Sequence, residues 1–264
     1  MTALLALAAL ASLRGWWLLR RESPGRVTAL SLAAFLAGLA TAGVALSPRL
    51  SALTHGLLIG HMIQHLLLML FSPLLLLLGS PVLLLSRAVL PRSMGPRGFH
   101  VPAGAKRVWA IITHPVAAGG LMAVTAVAWH IPELFDRAMR SHFWHEAENA
   151  SFFASGVIFW CPVILPWPSR RRWSPWSVPI YLLVSDIPVS VLTAYLAFCG
   201  RVLYPGYFSA SRPWGMSALD DQVGAAMLMW VTMLVVFMAA AVAAVMGVLN
   251  RAPPRTADSP CQLI

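Results

Sequence analysis

The sequence predicts an all-α membrane protein, a bundle of seven transmembrane helices, and three observations carry that expectation. Hydrophobic residues fill 59% of the 264 positions and charged ones only 11%, with a mean hydropathy of +0.74, outside the range of soluble globular domains. Apolar runs long enough to cross about 30 Å of hydrocarbon, which takes roughly 20 helical residues, recur near 2–19, 27–46, 52–72, 111–130, 143–164, 177–199 and 222–249. The basic residues gather in alternate links between these runs, as topology signals do.

The first run contains "ALA", which imitates a signal-peptide cleavage site. It lacks a basic n-region, and Arg20, Arg21 and Arg26 follow it, so it reads as an uncleaved span. The second run, 27–46, is uniformly apolar. The third contains "HMIQHLLLMLFSP" and is followed by "LLLLLGSPVLLLSRAVL", residues 74–90. An eighth span there would carry Arg87, Arg92, Arg97, Lys106 and Arg107 outward, so 74–90 reads as a bent extension at the inner interface. The fourth run ends in "AWHIPELFD", the fifth opens in "SHFWHEAEN", the sixth holds Asp186 beside Pro188, and the seventh follows "LDDQ".

With seven spans, thirteen Arg and Lys fall on one side, in 20–26, 87–107, 170–172 and the tail, and five on the other: Arg49, Arg137, Arg140, Arg201 and Arg212. The positive-inside rule then puts the N-terminus outside and the C-terminus in the cytoplasm. Trp160, Trp167, Trp173 and Trp176 mark the inner aromatic belt. The organisation expected is one transmembrane domain over 1–250 with a cytoplasmic tail at 251–264, multi-pass in a bacterial plasma membrane. A net charge of +10 and a pI near 11.0 do not imply nucleic acid when the cations are orientation signals. Cys161, Cys199 and Cys261 are far apart, with no CxxC spacing, and read as packing or tail residues.

Within this frame most ionisable side chains other than Arg collect toward the outer face. The third run carries His55, His61 and His65. Counting 1.5 Å per residue from Ala52 places His61 roughly 14 Å and His65 roughly 20 Å down the helix. The fourth supplies His130, Glu133 and Asp136; the fifth His142, His145, Glu146, Glu148 and Asn149; the seventh Asp220, Asp221 and Gln222; Asp186 lies mid-way along the sixth. His100 and His114 stand apart. A polar group in hydrocarbon must find a partner or a wet cavity, so such residues face the bundle interior and mark function by default. His61 and His65, four apart, share one helix face within reach of a single ion. His142 and His145 offer a second pair. Neutral imidazole suits copper, zinc, iron and nickel, with copper or another imidazole-loving ion the natural candidate. His55 reads as a hydrogen-bonding link between helices, and Met62, Met69, Met227 and Met229 as packing residues.

The motifs "HMIQHLLLMLFSPLLLLLGSP", "WHIPELFDRAM", "HEAENASFF" to "FWCP" and "DDQVGAAMLMW", in this order from about residue 50 to 245, resemble the CtaG family of bacterial integral-membrane cytochrome c oxidase (caa3-type) assembly factors. The resemblance implies a non-enzymatic seven-helix protein that helps assemble a haem-copper oxidase, handling copper destined for its subunit. It implies metal-ligand roles for His61, His65, His130 and His145, with His142 as a substitute one turn earlier, because Asn149 stands where the family has a second His. Glu148, Asn149, Asp186, Asp221 and Gln222 are the expected orienting or relay groups. The Ala225-Ala226 pair departs from the family's Gly-containing pair but permits close helix contact. The alternatives are a haem-binding membrane cytochrome with two facing His ligands, a proton or metal-ion transporter relaying through Asp186, and a scaffold that only holds an oxidase subunit.

Overall fold

The computed structural model describes residues 2–23, 25, 27–90, 102–164, 174, 176–207 and 215–250, and every regular element among them is helical. Five helical segments are long and apolar enough to cross a membrane on their own, Ala3–Glu22, Leu58–Leu78, His142–Ile164, Ser177–Phe198 and Ala218–Leu249; two bent pairs raise the number of candidate spans to seven. Arg26, Arg92, Arg97, His100, Trp167, Arg170, Arg171, Arg172, Trp173, Arg212, Arg251, Arg255, Cys261 and the 251–264 tail lie outside the described residues.

Helix α1 (Thr2–Glu22) is the first span. Thr28 starts α2 (Ala29–Ala45) by accepting the Ser31 N–H at 3.1 Å, and Ser47 starts α3 (Pro48–Gly56) by accepting that of Leu50 at 3.3 Å, with Pro48 in the first turn where no N–H is needed. A 49° bend separates α2 from α3. The chain then breaks at Leu57, which is extended (φ −136°, ψ 129°), before α4 (Leu58–Leu66). A π-helical turn, Leu67–Phe71, joins α4 to α5 (Ser72–Leu78) immediately before Pro73, the residue whose missing N–H an unbroken α-helix would not accommodate.

These breaks correct two sequence expectations. The third span starts at Leu58, not 52, because the backbone is extended at Leu57; His61 is therefore only about 5 Å along its helix and His65 about 10 Å. The fourth run, 111–130, holds α8 (Pro115–Trp129), but its first two residues belong to α7 (Ala103–Ile112), which lies 65° away across a break where His114 caps α8 by accepting the Val116 N–H at 3.2 Å. The 74–90 segment divides between the end of α5 and α6 (Pro81–Val89), nine residues and about 14 Å, too short to span. Helix α6 packs on α1, where Arg87 pairs with Glu22. The remaining helices are α9 (Pro132–Arg140), α10 (His142–Ile164), α11 (Ser177–Phe198) and α12 (Ala218–Leu249). A Ser217–Asp220 capping box starts α12.

The main core joins α4, α8, α10, α11 and α12 around Met69, Met122, Phe152, Trp160, Met233 and Phe237. Met62, Met69, Met229 and Cys161 are buried in it. A smaller cluster, Leu19, Val27, Phe35 and Leu84, ties α1, α2 and α6 together. Close approach sets the spacing around α10: a Cβ on Gly156 would collide with the carbonyl oxygen of Met69 in the π-helical turn. Gly120 on α8 faces open space. Gly156→Ala should therefore destabilise the bundle by about 1–3 kcal/mol through overpacking, while Gly120→Ala should be neutral or slightly stabilising. Thermal unfolding of the two variants in detergent checks the contrast.

Candidate metal centre

The site begins with a helix start. Because the chain is extended at Leu57, α4 opens with free N–H groups in the bundle interior, and Asp221 on α12 accepts two of them, from Leu58 at 2.9 Å and Ile59 at 3.1 Å. A buried carboxylate on a helix N-terminus is a charge-assisted cap. It fixes the first turn of α4, and His61 and His65 follow at the i, i+4 spacing, 0% and 4% exposed, with ring centroids 4.2 Å apart. Phe135 stacks edge-on against His61, and Phe152 lies 4.2 Å from His65, so the imidazoles have apolar walls.

Glu148, 1% exposed on the second turn of α10, points between them. Its Oε1 lies 3.4 Å from His61 Nε2 and 3.2 Å from His65 Nε2. One donor atom from each residue falls within a common 4.8 Å. Donors sharing an ion at about 2.0–2.2 Å stand roughly 3–3.6 Å apart, so two separations already have liganded length. The Nδ1 atoms of His61 and His65 and Oε2 of Glu148 are buried without hydrogen-bond partners. Unsatisfied polar atoms at that depth are costly. A cation would take one nitrogen from each imidazole and a carboxylate oxygen, and that donor set suits copper(II), zinc or iron.

The other predicted site residues divide. His130 caps α8, its Nδ1 2.7 Å from the Ala126 carbonyl oxygen, leaving Nε2 buried and unpaired; it interacts electrostatically with His61, His65 and Glu148. His145 is 9% exposed, with its ring centroid 6.1 Å from that of His61 and its Nε2 unpaired. His142 is exposed one turn earlier, and Asn149 is buried beside His145 on a cavity wall. Asp186 is half-buried on α11, accepting from Ser190 Oγ at 2.8 Å, and stands outside the three-residue group. Gln222 holds the α11–α12 link: it accepts from the Leu203 N–H at 2.8 Å and donates to the carbonyls of Leu196 and Arg201, each at 3.0 Å.

Sequence reasoning gave Glu148 a supporting part, whereas the geometry sets it level with the imidazoles. The signal was a carboxylate three residues after His145, one turn along the same helix. It also missed Tyr204 and Tyr207, whose hydroxyls donate to the carbonyls of His130, at 3.1 Å, and Thr54. No spacing rule points to them.

The cytochrome c oxidase caa3 assembly factor (Caa3_CtaG) family model matches residues 11–251. The chain belongs to this family. Among curated proteins, the uncharacterized protein Mb0105 of Mycobacterium bovis and the uncharacterized protein MT0111 of Mycobacterium tuberculosis are each 30% identical over 169 residues, covering 61% of this chain and 25% of theirs. The uncharacterized protein ML1998 of Mycobacterium leprae is 29% identical over 168 residues, with the same coverage. The chain thus spans about a quarter of the length of the curated relatives it matches. No solved structure matches it. By helix composition this Caa3_CtaG member is a multi-pass membrane protein.

Asp221→Ala should remove two charge-assisted caps and lower stability by about 1–3 kcal/mol per lost bond, read as an earlier unfolding transition in detergent. Asp186→Ala, which removes one half-buried serine contact, should cost less in the same measurement.

Proposed function

We propose that the protein serves maturation of a haem-copper oxidase by binding copper reversibly at His61, His65 and Glu148 and passing it to an oxidase subunit. The observation that carries this reading is the convergence of two buried imidazoles and a buried carboxylate, one ligand atom of each within 4.8 Å of the others, in a chain of the caa3 oxidase assembly factor family. His130, His145 and His142 are additional donors on neighbouring elements, and Asn149, Asp221 and Gln222 hold the surrounding backbone and walls. The ion is cargo, and no catalysis is needed. Three donors leave coordination positions free for an incoming ligand from the recipient, which is what a reversible carrier requires.

On this reading, this end of the bundle lies at the outer face of a bacterial plasma membrane, with the N-terminus outside, the C-terminus cytoplasmic and 1–250 acting as one domain, and the uneven distribution of basic residues in the sequence supports it. What favours a single ion over haem is the contact between the two imidazoles: His61 and His65 project from the same helix face in edge-to-face contact, whereas bis-histidine haem ligation puts them on opposite faces of a macrocycle. What disfavours an Asp186 relay is that this carboxylate stands outside the His61, His65 and Glu148 group.

Purified wild-type protein should hold one copper per chain, and the His61→Ala/His65→Ala variant should hold none at that site. Glu148→Gln should weaken binding by more than the 10–100-fold typical of outer-shell partners. Metal analysis and competition titration measure both effects. In a deletion strain the double variant should fail to restore oxidase activity. Equal copper in wild type and double variant would overturn the assignment.

A further inference from the structure

A cavity of about 280 Å³ lies between α3, α9 and α10, beside the buried group. Its rim carries the exposed imidazoles of His55 and His142, and its floor the buried side chains of Gln64, His145 and Asn149. On that floor Gln64 Oε1, His145 Nε2 and Asn149 Oδ1 have no hydrogen-bond partner, although the residues are only 1%, 9% and 3% exposed. A wall that concentrates unpaired polar atoms is suited to a hydrated guest rather than to side-chain packing.

The imidazoles form a ladder inward from the rim. The ring centroid of His145 is 6.2 Å from that of His55 and 6.1 Å from that of His61, and His61 is 4.2 Å from His65. Two imidazoles sharing an ion, each nitrogen about 2 Å from it, hold their centroids roughly 4–6.5 Å apart depending on the angle at the ion, so each step of the ladder has the length of an ion-bridged pair. His55 is set up to donate its lone pair. Its Nδ1 lies 2.7 Å from the Ser51 carbonyl oxygen and so carries the proton, which leaves Nε2 as the ligand atom. The charges at the rim do not oppose a cation: Arg140 is 82% exposed and engaged by Asp136 at 3.4 Å, and Glu146 lines the same wall.

We propose that this cavity is a loading vestibule for the metal centre: His55 and His145 capture a copper ion entering past His142, and His145 transfers it to His61, from which it reaches His65 and Glu148. The proposal rests on the reading that the buried group binds the ion. Each transfer is a ligand exchange in which one imidazole nitrogen replaces another on the ion, and no electron moves. His145 is the positioning residue of the path, because it alone of these imidazoles adjoins both ends.

The test uses copper(II) added to the full chain in lipid nanodiscs, with binding followed by electron paramagnetic resonance and final content by metal analysis. His145→Ala and the solvent-facing His55→Ala should each slow loading at least tenfold, and in His55→Ala the final content should stay at one ion per chain. In the His61→Ala/His65→Ala background a weaker copper signal with nitrogen couplings should persist and disappear when His145→Ala is added. Wild-type loading rates in both single variants would overturn the path while leaving the buried site intact. Failure of wild-type protein to take up copper would instead overturn the reading of the metal centre. A weak signal that survives in the triple variant would show binding elsewhere and would also overturn the vestibule.

Discussion

The bond from the Asp221 carboxylate to the N–H groups of Leu58 and Ile59 is the contact on which the polar end of this bundle depends. Apolar helices in a bilayer gain little from hiding their surfaces, since lipid is as apolar as leucine, so packing and interhelical hydrogen bonds decide their arrangement. Asp221 reaches from the opening of α12 to the opening of α4. It turns a break in the backbone into a fixed start and sets the rotation of the two imidazoles. The link before α12 adds to this: Tyr204 grips the carbonyl of His130, Tyr207 that of Thr54, and Gln222 bonds to three backbone groups between Leu196 and Leu203.

This lacing is saturated, and the group it surrounds is not. Gln222 uses both ends of its amide, while the Nδ1 atoms of His61 and His65 have no partner. Buried polar atoms in a membrane protein either hold helices together or wait for something else. The two populations lie within a few residues of each other, on α4 and α12, and their hydrogen bonding separates them where their chemistry does not. Glu148 belongs to the second kind: its Oε2 is unpaired, and its Oε1 is shared between two imidazoles.

Much of this was legible in the sequence, for identifiable reasons. Hydropathy located α1, α10, α11 and α12 to within a few residues because those helices are unbroken and apolar along most of their length. It merged the end of α7 with α8 and misplaced the start of α4, because a run of apolar residues reads the same whether or not one residue in it, such as Leu57, is extended. The His61–His65 pair was visible because helical period alone puts the two on one face. Asp221 was expected as an orienting group; in the structure it accepts from backbone N–H groups 163 and 162 residues away in the chain, a partnership no local pattern reveals. His55 was read as a link between helices, and its place at the rim of a polar cavity depends on the fold of α3 and α9 around it.

The π-helical turn at Leu67–Phe71 divides the third span into two parts answering to different neighbours. Upstream, α4 is keyed to α12 and α10; downstream, Ser72 donates to the Gly38 carbonyl at 3.0 Å, and Leu76 fills the space beside Gly38 on α2. One extra residue in a helical turn shifts the angular phase of everything after it by about 100°. The wide turn therefore works as a phase adjuster, letting one continuous rod present its imidazoles to one partner and its serine to another, which a uniform α-helix of the same sequence would aim in incompatible directions.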